Sequence, residues 1–451
     1  MHYEDPRTLT RVSEVVDVLQ SLIRNACVND GTADSGNESR SVDVLRALLD
    51  GPGVDIETYT SRGERENLVA RIEGSDPTAP SLLLMGHTDV VPVNEDGWTR
   101  DPFGGELVDG FVWGRGAVDM LNLTASMAVA MRHLASSGFR PRGSLVFLAV
   151  ADEEALGTWG AQWLVEHELD AVRASYVITE SGGNPTSRPS GIKLPVITAE
   201  KGSHWCTLRV SGTPGHASQP YRTDNALVTA AEVVRRLAEY RPETRISETW
   251  ERYVRGMDLR AERAEVLLDP ARIDDAIESL PLGFARVAHA CTHTTFAPTV
   301  MRAGSKTNVI PDRVDLEVDI RTLPGQSAAD IDAMLEDAIG RDLADRVQVI
   351  AASHEDSTES PVDTPLWSSL TRVAQRFYAG SSLVPTMTVG ATDARFFRRL
   401  GIPSYGFGLF SRKLRYEDYA LMFHGDDERV DVDSLDLSTA MWQALAEDLL
   451  S

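Results

Sequence analysis

Apolar positions along the chain recur with two periods. In residues 11–24 (RVSEVVDVLQSLIR), Val12, Val15, Val16, Leu19, Leu22 and Ile23 fall near one face at helical spacing, which predicts an amphipathic helix packed on a core. Residues 29–39 (NDGTADSGNES) predict a turn-rich loop, and residues 42–49 resume the helical spacing. Weaker strand signals at 55–59 and 68–72 precede three short apolar runs at 82–85, 145–150 and 176–179. Each run is bounded by glycine, proline or polar residues, as expected of strands covered on both faces. Between them, residues 94–110 read as a loop carrying Trp98 and Phe103, and residues 122–134 as a helix. The middle of the chain predicts strands at 205–210, 313–320 and 347–350 and a helix at 225–237. An additional helical segment falls near 246–286. After residue 357 come a helix at 364–378, a short strand at 404–407 and a closing helix at 432–450.

The apolar runs end in the same kind of residue. His87 and Asp89 follow the run at 82–85, Asp152, Glu153 and Glu154 follow 145–150, and Glu180 follows 176–179. Asp119 stands just before the helix at 122–134. In open parallel sheets the carboxyl ends of strands are where ligands bind. Taken singly, each residue has an ordinary structural explanation: a turn histidine, an N-cap aspartate, an acidic first helical turn. Repetition at successive strand ends points to one shared site, and three adjacent carboxylates repel one another unless cations neutralise them. A dinucleotide site is disfavoured because the glycines of VWGRGAVDM do not continue as GxGxxG.

Composition narrows the function. A chain of 451 residues, 42% of them hydrophobic, has room for two domains. No apolar stretch approaches the roughly 18 residues of a membrane span, and the opening MHYEDPRTL lacks the pattern of a signal peptide, so a cytoplasmic protein is expected. Cys27, Cys206 and Cys291 are odd in number, widely spaced and without a CxxC, and are expected to be buried thiols in a reducing compartment. A formal charge of −24 argues against nucleic acid as a partner. Only four of the 44 basic residues are lysines, which we attribute to genome bias.

The segments GHTDVVP, GRGAVDM, ADEEALG, TESGG, GTPGHAS, TNVIP, DIRTLPG and FHGDDERV, in this order from about residue 80 to 430, resemble the di-zinc metallopeptidase family of aminoacylases, glutamate carboxypeptidases, dipeptidases and succinyl-diaminopimelate desuccinylases. The resemblance implies an α/β catalytic domain, with a mostly parallel sheet and helices on both faces, made of residues 1–197 and 357–451. An α+β lid and dimerisation domain would be inserted at 198–356. Carried over residue by residue, it implies two Zn2+ ions bridged by Asp119. His87 and Glu180 would complete one ion, Glu154 and His424 the other, with Co2+ or Mn2+ as substitutes. Asp89 would orient His87. Glu153 would be the general base acting on the metal-bound water. His216 would donate to the oxyanion, from the partner subunit of a homodimer formed through the lid. Asn308, Arg321, Gly390 and Thr392 would hold the substrate, with Arg321 gripping a free carboxylate. In TMTVGATDA, where relatives usually show a glycine-glycine-threonine-aspartate segment, Gly390, Thr392 and Asp393 are kept in type, but Val389 occupies a place often held by something smaller, which bears on the shape of the substrate pocket.

The implied activity is hydrolysis of the amide bond of an N-acyl amino acid or short peptide, with no nucleic-acid or membrane partner. Aminoacylase and carboxypeptidase or dipeptidase specificity both remain open. A non-catalytic binding or assembly protein of the same fold is disfavoured by the presence of Glu153 and all five ligand positions. A phosphoesterase is disfavoured because no basic phosphate cradle accompanies them. The remaining histidines, His2, His133, His167, His204, His289, His293 and His354, show no ligand spacing and are expected to be structural or exposed.

Overall fold

The computed structural model describes the backbone of residues 6–451 and the side chains of residues 14–451 apart from Glu417. His2, most of MHYEDPRTL and the side chain of Val12 therefore lie outside the described residues.

Strands Leu82–His87 and Leu145–Val150 are buried at every position, because each has a strand on both sides and helices on both faces. They pair in parallel, Leu84 opposite Phe147 and His87 opposite Val150. Leu82–Leu84 pair in parallel with Tyr176–Ile178, and strand Ser404–Gly406 extends the parallel block on the far side of Tyr176–Thr179. Further strands complete a sheet of ten: Arg65–Ile72 and Asp55–Arg62, both antiparallel, on one side, and on the other Gly191–Glu200, antiparallel to Ser404–Gly406 and parallel to Ser382–Thr388, with its remaining partners. Parallel register has a direct consequence for the site. His87, Val150 and Thr179 all end at one edge of the sheet, and the polar residues that follow them emerge together.

Alternation along the central strands selects the two faces. Leu82, Leu84, Leu145 and Phe147 point into a core built with helices Ser39–Leu49, Leu121–Ser136, Pro365–Phe377 and Val432–Leu450. Leu83, Met85, Val146 and Leu148 point the other way, onto Ala161, Leu164, Phe396 and Phe397. Helix Leu121–Ser136 is buried from Leu121 to Met131, and its alanines let the C-terminal helix approach closely. Trp442, fully buried there, donates its indole N–H to Ser126 Oγ at 3.0 Å.

A second, antiparallel sheet has the order Thr295–Ala303, Arg313–Thr322, Gly202–Ser211, Val347–Glu355. Val314, Leu316, Val318 and Ile320 alternate inward against helices Ala226–Glu239 and Ala328–Ile339. The chain crosses from the large sheet to this one between Glu200 and Gly202. At the crossing Lys201 is buried and donates to the carbonyls of Ala290 (2.8 Å) and His293 (2.7 Å), and burial lowers its pKa to about 7.

Two expectations need correction. The extra helical segment, read as part of the lid, forms helices Glu248–Gly256, Ala261–Leu267, Ile273–Glu278 and Leu282–Thr292. These share a core with Ala199 and Met387 of the large sheet and with Leu323. Its Trp250 and Val254 are buried in that shared core, against Ala199 and Met387. Residues 94–110 are not all loop: a helical turn at Glu95–Gly97 precedes strand Glu106–Val108, which pairs with Phe111–Trp113 and through it with Arg429–Asp431. Three-residue strands are too short to carry a period. The three cysteines are free and buried, and no helix among the described residues is long and apolar enough to cross a membrane.

Truncating Trp442 to Ala would leave a void between helices Leu121–Ser136 and Val432–Leu450 and a Ser126 hydroxyl without its indole partner. The expected cost is about 3–5 kcal/mol, seen as a lower denaturant midpoint at unchanged slope.

Candidate metal centre

The strand ends converge as the register requires. Ligand atoms of His87, Asp119 and Glu154 lie within 4.8 Å of one another, and so do those of His87, Glu153 and Glu180. Asp119 stands between two imidazoles: its Oδ1 is 3.3 Å from His87 Nε2 and its Oδ2 3.3 Å from His424 Nε2. His424 Nε2 is also 3.1 Å from Glu154 Oε2. His87 is 1% exposed, whereas the His424 side chain is 56% exposed, so the centre opens on the His424 side.

Each side chain is aimed by backbone contacts from elsewhere in the chain. His87 Nδ1 donates to the Asp89 carbonyl at 2.9 Å, which leaves Nε2 as the nitrogen that faces Asp119. The Asp89 carboxylate lies farther away, Oδ1 at 3.6 Å from the ring. Its oxygens instead accept the amides of Glu153 (3.2 Å) and Glu154 (3.1 Å) and the Asn29 side chain (2.8 Å). Asp89 thus fixes the turn bearing the two glutamates as well as the histidine. Thr124 Oγ1 donates to His87 O at 2.9 Å, and Gly86 permits this close approach: an added Cβ would lie 2.3 Å from that hydroxyl. Across the centre, buried Glu428 accepts from the amides of Gly116 (3.0 Å), Val118 (2.6 Å) and Asp119 (2.9 Å) and from Arg115 (2.9 Å). One carboxylate therefore shapes the loop that presents Asp119.

The electrostatics are those of a cation site. Burial raises the carboxyl pKa of Glu153, with Glu180 adding to the shift, and burial followed by the charge of Asp119 raises those of Glu154 and Glu180. For Asp119, burial is outweighed by its contacts to His424 and His87, and its pKa is lowered. Burial would lower the pKa of His87, but Asp119, Glu153 and Glu180 raise it well above the ordinary value, and His424 is raised to about 10 by Asp119 and Glu154. Glu154 Oε1 is buried without a hydrogen-bond partner. Such a carboxylate is costly in a dry site, and the gathered imidazole and carboxylate donors suit borderline divalent metals. The residues present fit a metal.

The other predicted residues lie outside this cluster. His216 and Asn308 lie at a short antiparallel pairing of Gly215–His216 with Val309–Ile310, where His216 pairs with Val309 and the Ala217 amide donates to Asn308 O at 3.1 Å. Exposed His216 accepts from the Ser218 amide at 3.2 Å. Arg321, on strand Arg313–Thr322, is forked onto Asp319 (2.7 and 3.0 Å) and lies over Trp205. No hydrogen bond or ion pair among the described residues joins these three side chains to the centre. Thr392 donates its amide (2.8 Å) and hydroxyl (2.9 Å) to Glu200, and Gly390 has open space around it. Three of the remaining histidines are engaged locally: His204 faces His354 with their Nδ1 atoms 3.2 Å apart, and His293 lies 3.1 Å from Asp274. Sequence reasoning missed Asn29 and Glu428, and did not single out Asp393. Glu428 follows two aspartates in FHGDDERV, and nothing local distinguishes it from them.

Residues 83–448 match the model of peptidase family M20/M25/M40. The chain is 29% identical over 415 residues to a succinyl-diaminopimelate desuccinylase of Cereibacter sphaeroides, covering 91% of this chain and 94% of that protein. It is 28% identical over 385 residues to the N-fatty-acyl-amino acid synthase/hydrolase PM20D1 of Xenopus tropicalis, covering 84% and 74%. In fold it is similar to the M20 family metallo-carboxypeptidase Sso-CP2 of Sulfolobus solfataricus, with a TM-score of 0.72, 17% identity and 99% of both chains covered. With ligand-type side chains gathered at the strand ends and the family match spanning both parts of the large sheet and the lid between them, the chain belongs to peptidase family M20/M25/M40 and is a hydrolytic enzyme.

Proposed function

We propose that this enzyme is a two-zinc hydrolase cleaving the amide bond of an N-acyl amino acid or short peptide that carries a free carboxylate. The observation that carries the reading is Asp119, whose two oxygens each face a different imidazole 3.3 Å away. A carboxylate so placed can bridge two ions, with His87 and Glu180 on one side and Glu154 and His424 on the other. Zn2+ suits this donor set, and Co2+ or Mn2+ could replace it. When bound, the pair would supply polarisation of the scissile carbonyl and a lowered water pKa.

The chain's own residues do the rest. Glu153 Oε2 stands 3.9 Å from His87 Nε2, in a site that favours its protonated form. We assign it the proton transfers: it accepts one from the attacking water and delivers it to the leaving amine. Asp89 holds the Glu153 and Glu154 amides, so base and ligand keep their separation. His216 would donate to the developing oxyanion from the lid of a partner subunit. Arg321 presents its Nε–Nη2 edge to Asp319. The Nη1 side would take the substrate carboxylate, with Asn308, Gly390 and Thr392 completing the pocket. The substrate is small, neither nucleic acid nor membrane is a partner, and the three buried thiols suit the cytoplasm.

Replacing Glu153 with Gln is expected to lower kcat by about 10²–10⁴, while two metals per chain remain bound; full activity with metals in place would sink the assignment. Metal binding should displace protons, because the carboxyls of Glu153, Glu154 and Glu180 and the imidazoles of His87 and His424 all have pKa values raised in the metal-free centre. Zinc titrations in buffers of different ionisation heat should show proton release, with affinity falling from pH 8 to pH 6; pH-independent affinity would contradict this. A panel of N-acyl amino acids and dipeptides, each with a free or an amidated carboxylate, should be cleaved only in the free form. Arg321→Lys should raise KM about tenfold or more; equal cleavage of both forms would remove Arg321 from the site.

A further inference from the structure

Asp393 is 1% exposed, and both of its carboxylate oxygens are buried without a hydrogen-bond partner. Its position suggests an N-cap for helix Ala394–Arg399, but its side chain makes no capping bond. The neighbouring Arg395 does not pair with it either: its guanidinium donates to Thr392 O and Leu156 O, both at 2.7 Å. The carboxylate rests instead on Gly157, where an added Cβ would lie 2.2 Å from Asp393 Oδ1. Gly157 closes the turn that carries Glu153 and Glu154, its amide donating to Asp152 O at 2.7 Å. That turn contains three residues in the left-handed region, Asp152 (φ 70°), Leu156 (φ 76°) and Gly157 (φ 64°). Such a backbone persists only when its surroundings hold it.

One side of the turn is held by Asp89, through the Glu153 and Glu154 amides. The other side meets the start of helix Ala394–Arg399, with Asp393 and Phe396 at Gly157 and Arg395 at Leu156 O. The negative charge of Asp393 also acts on Glu153 and Glu180. Held on both sides, the turn keeps Glu153 directed at His87, with Oε2 3.9 Å from Nε2. We propose that Asp393 and Arg395 are positioning residues that clamp the far side of the Glu153 turn. They thereby tie the base to the segment 390–392, three residues upstream. The inference rests on Glu153 serving as the base, as proposed above.

The test uses the full chain loaded with zinc. Asp393→Asn keeps the volume and removes the charge. It is expected to lower kcat at least tenfold with KM within twofold and two metals still bound per chain, and to speed amide hydrogen exchange at residues 152–157 at least fivefold. Gly157→Ala should also lower kcat. Adding Asp393→Ala removes the Oδ1 collision but not the strain of alanine at φ 64° or its 3.1 Å approach to Phe396, so the double variant should be less impaired than the product of the two single effects, whereas independent sites would multiply. Unchanged kcat and exchange in Asp393→Asn would overturn the proposal, as would a rise in KM alone, which would place Asp393 in the substrate pocket. Loss of metal in step with activity would place it in the metal site and overturn the proposal equally. Asp393→Ser serves if the asparagine variant does not fold. If the wild type cleaves no amide substrate, the hydrolase reading fails, and the exchange measurement still decides whether Asp393 holds the turn.

Discussion

Five carboxylates, those of Asp119, Glu153, Glu154, Glu180 and Asp393, are held in or beside one largely buried space, and their mutual repulsion is the constraint around which the structure is arranged. Ionised carboxylates removed from water cost several kcal/mol each unless paired. The protein offsets part of that cost with imidazoles, part with backbone amides and the rest with room for cations. His87 and His424 flank Asp119. Asp89 and Glu428 are themselves buried acids, but each spends its oxygens on amides of the loops that carry the ligands. The unpartnered oxygen of Glu154, Oε1, lies among the gathered ligands, where divalent ions would act most strongly.

Holding these groups in place requires a rigid frame, and the parallel strands provide it. Strands buried on both faces cannot slip register without moving a whole apolar face into the opposite core. The ends at His87, Val150 and Thr179 are therefore fixed by Leu, Val and Phe packing at some distance from the chemistry. The remaining parts come from the far end of the chain. Glu428 and His424 flank a three-residue strand, Arg429–Asp431, that pairs with Phe111–Trp113. Asp393 arrives from the start of a short helix whose Phe396 and Phe397 are anchored in the second core. Packing thus supplies the precision that the polar residues, which repel one another, could not supply for themselves.

The crossing between the two sheets joins several of these parts. Glu200 accepts from Thr392, from Thr358 at 2.7 Å and lies 3.6 Å from Arg398, while the next residue, Lys201, grips the end of helix Leu282–Thr292. The added helices pack on the same strand, Gly191–Glu200, that leads into the crossing. The crossing is thus hydrogen-bonded to Thr392 and to the helical segment at once. The connection also gives the helical segment a mechanical place in the fold, bracing the crossing against the large sheet.

Much of this was legible in the sequence. The apolar runs at 82–85, 145–150 and 176–179 declared buried strands, because burial on both faces leaves no polar alternation to confuse the reading. The residue types at their ends, with Asp119 and His424, named a metal site before any distance was known. What periodicity cannot report is the partner of a buried position. Leu84 facing one core and Met85 the other follows from alternation, but which helices meet them depends on contacts between residues far apart in the chain. For the same reason the contacts of Glu428 and Asp393 could not be read, Arg321 was not seen to lie against Asp319, and the added helices were grouped with the lid rather than with the core they share with Ala199 and Met387. Local patterning determined which residues are inside and which carry chemistry. Their mutual distances, the edge on which they meet and the acids that orient rather than ligate were decided only by tertiary packing, since those are properties of pairs that no single stretch of sequence contains.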